Sequence, residues 1–179
     1  MRRTFWGGGA MLIIRIAKTA LVAAIALHAS LVVFGNVTDY AINFSFVQHV
    51  MVMDTILPNS SIGYRAITVP ALHHAAYVMI IAVELLAAIL CWIGAVRLFG
   101  ARRTSGVAFN GTKNFAVAGL LVGLLTWQVG FITIGGEWFG MWMSQTWNGV
   151  PSAFRLAMIV LGTLIFVALP DGDLEPAAK

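Results

Sequence analysis

The chain has 179 residues, of which 60% are apolar and only 10% charged, where an ordinary soluble domain carries roughly 25% charge. Its mean hydropathy of +0.89 therefore excludes a water-soluble globular protein. The net charge of +4 does not point to a nucleic-acid partner, because no basic run with interleaved aromatics lies away from the apolar stretches, and the single cysteine, Cys91, excludes an internal disulfide.

The segment MRRTFW resembles a twin-arginine signal, and LVAAIALHAS resembles an export h-region with a small-residue cleavage site. The apolar run nevertheless continues through Leu31 and Phe34 to Gly35, so a retained helix is expected. About 20 apolar residues cross a bilayer, and four stretches reach that length: 11–35, 74–96, 115–134 and 151–169. In the first, Arg15 and Lys18 occupy the opening turns, where long side chains snorkel back to the headgroups.

Residues 36–73 are too long for a featureless loop. Within them, Phe46, Val50, Met53 and Leu57 recur at helical spacing, which predicts a short interfacial helix ended by Pro58 and the polar residues after it. The second span, 74–96, carries Glu84 near its middle. The connection 97–114 holds an Asn110-Gly111 turn signal. The third span, 115–134, contains Gln128. Residues 135–150 form a second outward segment, in which Trp138, Trp142 and Trp147 are interfacial anchors, with a short helix expected. The fourth span opens near Pro151 and Arg155, and the tail PDGDLEPAAK reads as short, polar and mobile. The expected architecture is a single all-α domain over 1–179, a four-transmembrane-helix bundle with short interfacial helices in its two periplasmic segments.

Lys and Arg are retained on the cytoplasmic side. Arg2, Arg3, Arg15, Lys18, Arg97, Arg102, Arg103, Lys113 and Lys179 fall on one side, nine of the eleven cations. Only Arg65 and Arg155 remain for the other, so both termini are expected in the cytoplasm of a bacterial inner membrane.

Glu84 lies about 15 Å from the outer end of its helix at 1.5 Å per residue. A central charge costs about 2.5–3.5 kcal/mol on translocon scales, so the side chain should face the bundle interior. His73, Tyr77, Glu84 and Cys91 share a helical stripe. That stripe is either a proton or cation path or, more plainly, a packing contact in which Glu84 bonds Gln128, Thr126 or a backbone carbonyl.

The outward residues His49, Asp54, His73, His74, Glu137, Gln145, Asn148 and Arg155 form a candidate polar cluster. In it Arg155 pairs with Glu137, Asp54 or Glu84, or serves as an anion-binding group. His49 and His73 with Met51, Met53, Met141 and Met143 are weak candidates for a soft metal. No recognised ligand spacing occurs, and methionine is a common gap-filler, so neither metal nor cofactor is expected. No catalytic residue can be named: there is no nucleophile elbow, P-loop or dinucleotide-binding glycine pattern.

The stretches NFSFVQHVMVMDT (43–55), YRAI (64–67) with the later His73 and Glu84, and GGEWFGMWMSQTWNG (135–149) resemble those of the bacterial predicted small integral membrane proteins of the family DUF2165. The resemblance covers nearly the whole chain and implies four membrane helices, with no activity to transfer. Three functions are therefore weighed. The first is a non-catalytic accessory or scaffold subunit packing against a larger membrane partner through small-residue faces such as Gly119–Gly123 and Ala87–Ala88. The second is a proton- or cation-coupled transporter or channel component using Glu84, as a homo-oligomer. The third is a metal-handling or enzymatic site on the periplasmic face. Membrane lipids are expected partners in all three.

Overall fold

In hydrocarbon a lone span must satisfy every backbone group within itself, which only a helix does, and each long apolar run becomes one. The computed structural model describes residues 8–174; Arg2, Arg3 and Lys179, counted above for orientation, lie outside them. Among the described residues there is no strand. Helix α1 spans Gly8–Thr38, α2 Tyr40–Val52, α3 Pro70–Ala101, α4 Gly106–Gly111, α5 Asn114–Leu125 and α6 Val150–Ala168. Four helical stretches are long and apolar enough to cross a membrane: α1, α3, α6, and α5 together with its continuation to Trp138.

That continuation, Thr126–Trp138, is a π-helix of 13 residues. Phe139 N–H reaches back five residues to the Ile134 carbonyl at 3.0 Å, and the Thr133 hydroxyl likewise donates to the Gln128 carbonyl at 2.9 Å. Such wide turns are mostly single bulges and are frequent at functional sites.

α3 packs along both α1 and α5, α6 packs against α5 and the π-helix, and α6 touches α1 more sparsely. At about 1.5 Å per residue the 31 residues of α1 and 32 of α3 run well past a roughly 30 Å hydrocarbon core. α2 folds back over their far ends. Its buried residues Val47 and Met51 join Met53, Tyr77 and Phe139 in one core cluster, while Val22, Cys91, Leu98, Leu120 and Val160 belong to another nearer the opposite end. α2 begins earlier and stops sooner than the spacing predicted. Met53 takes a left-handed conformation (φ 58°), which ends the helix at Val52 and turns the Met53 side chain into the core, whereas Leu57 lies beyond the helix and is exposed.

The α3–α5 seam is tight at one end and open at the other. A Cβ on Gly94 would stand 2.5 Å from the Ala116 nitrogen, one on Gly119 2.7 Å from the Cys91 nitrogen, one on Gly123 4.0 Å from the Ala87 Cβ, and one on Gly130 would meet nothing within 4 Å. Small residues that admit close helix approach are thus spent inside the bundle: Ala87, Ala88 and Gly119 are buried in it and do not form a face for a partner. Beyond Gly123 the helices diverge around a cleft of about 620 Å³.

The tight end is closed by charge. Lys18 and Lys113 both donate to Asp171 Oδ2 at 2.6 Å, and both also reach the Leu169 carbonyl. Arg15, with no exposed surface, donates to the carbonyls of Arg102, Thr104 and Gly172 and lies 4.6 Å from the centre of the Phe109 ring. Asn110 brackets the Asp171 backbone from both sides, and Gly106 N–H donates to Asp173 at 2.6 Å. Arg15 and Lys18 therefore do not snorkel, and the first residues of the tail are not loose. They form a strap across the ends of α1, α4, α5 and α6, because burying three cations demands a carboxylate and carbonyls beside them.

Candidate functional site

α3 carries Tyr77, Glu84 and Cys91 inward at seven-residue intervals, and with His73 all four are buried. Glu84 and Tyr77 meet at one residue of α1, while His73 is held apart from them. The Asn36 amide, at the far end of α1, donates to Glu84 Oε2 at 2.8 Å, and the Tyr77 hydroxyl donates to the Asn36 carbonyl at 3.0 Å. His73 Nε2 lies 2.7 Å from the Ile67 carbonyl, which holds the loop before α3. The expected partners of Glu84 are engaged elsewhere: Thr126 donates to the Val122 carbonyl, and Gln128 is exposed. Asn36 was missed because it sits at the polar edge of its span, where an asparagine reads as a boundary.

Glu84 also borders a small cavity of about 30 Å³ at the meeting point of all four membrane helices, shared with His28, Thr126 and Val160. That volume admits one or two waters. His28 is the polar residue of α1 that faces it, and it is exposed at the cavity's edge.

The outward residues separate into small local groups. His49 Nδ1 donates to Asp54 Oδ2 at 2.6 Å while its ring stacks on Trp147, with centroids 4.5 Å apart. His74 stacks on Phe44 at 4.1 Å and bonds the Tyr40 hydroxyl at 2.9 Å. Asn148 donates to the Trp142 carbonyl and accepts from Val150 N–H, which fastens the start of α6. Arg155 donates to Ser152 at 2.9 Å and joins none of Glu137, Asp54 and Glu84. Glu137 and Gln145 are exposed.

Trp138 and Trp142 each leave about half of their surface exposed, as anchors would, whereas Trp147 packs against His49 and Phe46. The second outward segment contains a single turn of 3₁₀-helix, Met141–Met143, after Gly140 takes a left-handed conformation (φ 65°) that breaks the chain direction. Among the described residues no three His, Cys, Asp or Glu side chains gather. Met51 and Met141 line an apolar cavity.

Arg65, read from sequence only as an outward cation, has a defined setting. Arg65 lies 4.9 Å over the Trp138 ring and lines a recess of about 540 Å³ together with Thr133 and Glu137.

A family model for a predicted small integral membrane protein, DUF2165, matches residues 14–170. No curated protein and no solved structure matches the chain.

Proposed function

The chain belongs to the DUF2165 family of predicted small integral membrane proteins, and on that premise we propose that it is a non-catalytic accessory subunit packing against a larger membrane partner. The observation that carries this is a contrast in polar side chains. Glu84, Tyr77 and His73 are bonded inside the bundle, but His28, midway between Lys18 and Thr38, and Gln128, in the central part of the third span, are exposed. Neither side chain makes a hydrogen bond among the described residues. Polar groups in a membrane interior normally face other helices, which they bind through hydrogen bonds, and a partner helix would satisfy them. The concentration of cations at the strap end supports a reading in which that end faces the cytoplasm of a bacterial inner membrane, with α2 on the periplasmic side.

Purification in mild detergent tests this reading. A larger membrane protein should accompany the chain in fixed ratio, should be lost from a His28→Leu, Gln128→Leu double variant, and should be kept by Glu84→Gln. A lone monomer overturns it.

A second reading, proton or cation handling by Glu84, draws support from the cavity that Glu84 shares with His28. It requires a pH-dependent flux in proteoliposomes that Glu84→Gln abolishes, and an unchanged flux rejects it.

A further inference from the structure

Arg65 and Glu137 line one recess, and no ion pair joins them among the described residues. Arg65 is braced by the Trp138 ring, and its Nη1 makes only long bonds, 3.5 and 3.3 Å, to the Glu137 and Trp138 carbonyls. Its Nη2 and the Glu137 carboxylate make none. Opposite charges facing one space without neutralising each other suit a ligand carrying both signs.

The recess adjoins apolar space along shared walls. It shares Ile134 and Phe139 with a cavity of about 140 Å³ beneath α2, which in turn shares Ala76, Ile80, Gly130 and Phe131 with the cleft where α3 and the π-helix diverge. That cleft opens sideways on two membrane-spanning helices, so hydrocarbon is its solvent. Half-exposed Trp138 marks the headgroup level at its mouth.

We propose that these adjoining spaces together form a binding site for a phosphoethanolamine phospholipid. The phosphate sits against Arg65, the primary ammonium against Glu137, and one acyl chain lies in the cleft between Ile80 and Gly130. Arg65 offers the planar donors that phosphate accepts, and a primary ammonium supplies N–H donors to Glu137. A choline headgroup has no N–H to donate, and an anionic glycerol headgroup leaves Glu137 unpaired beside a phosphate. The site goes beyond the partner reading and does not depend on it.

The test is competition. Protein in mild detergent receives equal amounts of dioleoyl phosphatidylethanolamine, phosphatidylcholine and phosphatidylglycerol, and native mass spectrometry identifies the bound lipid. The ethanolamine lipid should dominate by about tenfold or more, on the order of one charge-assisted hydrogen bond. Glu137→Gln, at an exposed position, should erase that preference without changing the melting temperature. Gly130→Phe, whose ring would enter the cleft, should lower occupancy by all three lipids. Equal binding of the three lipids by the wild type, dominance of phosphatidylglycerol, or an ethanolamine preference surviving Glu137→Gln each overturns the proposal.

Discussion

Lys18 and Asp171, 153 positions apart in the chain, meet at 2.6 Å in the interior, where both side chains are almost wholly buried. Removing one partner from a buried ion pair leaves an uncompensated charge, and such changes cost about 3–5 kcal/mol. Asp171→Asn should therefore cost stability on that scale, since it strands Lys18 and Lys113 together. Thermal unfolding in detergent checks this, with exposed Asp54→Asn as the comparison expected to lose far less.

Lys113 also sets a pH dependence. Burial pushes its ammonium below the ordinary lysine value of 10.5, and the bonds to Asp171 pull only partly back. A lysine lowered in the folded state costs stability in full while both states are protonated, and that cost falls as pH rises toward 10.5. Melting curves of wild type and Lys113→Met should run parallel at neutral pH. The wild type should gain relative to the variant on the alkaline side.

The Asn36–Glu84 bond ties the end of α1 to the middle of α3. Asn36→Leu should destabilise the protein by about 1–3 kcal/mol, because Glu84 loses its donor without losing its burial. Glu84→Gln keeps a bonded pair and should cost less. Equal losses in the two variants, read by thermal melting, would show that the bond does not order the helices.

The glycines predict a contrast in tolerance between a packed position and an open one. Gly94→Val drives a side chain into the backbone of Ala116 and should cost about 1–3 kcal/mol or more. Gly162→Ala on α6, where a Cβ meets nothing within 4 Å, should be neutral or slightly stabilising. Expression level and melting temperature distinguish them.

The four spans were legible because length and hydropathy alone identify a membrane helix, and the inward placement of Glu84 followed from the cost of exposing it. What escaped was contact between distant positions. Nothing in PDGDLEPAAK marks Asp171 as the counterion of a lysine in the first helix, since a short polar tail has the composition of a loose end. The π-helix escaped for another reason: its wider turn from Thr126 to Trp138 does not follow the 3.6-residue period by which an apolar helical face is recognised. Hydropathy also does not register that Gly94 and Gly119 touch backbone while Gly130 faces open space.

The strap gives assembly an order in time. Arg15, Lys18 and Lys113 are all made before α6, but the acceptors of the two lysines, the Leu169 carbonyl and the Asp171 carboxylate, and one of the three carbonyls that hold Arg15, that of Gly172, follow it. Until that segment is made, the two lysines lack their acceptors, Arg15 lacks one of its three, and the tight end cannot close. The inserted spans wait in the bilayer as an unlocked set, and the segment that follows α6 turns the key.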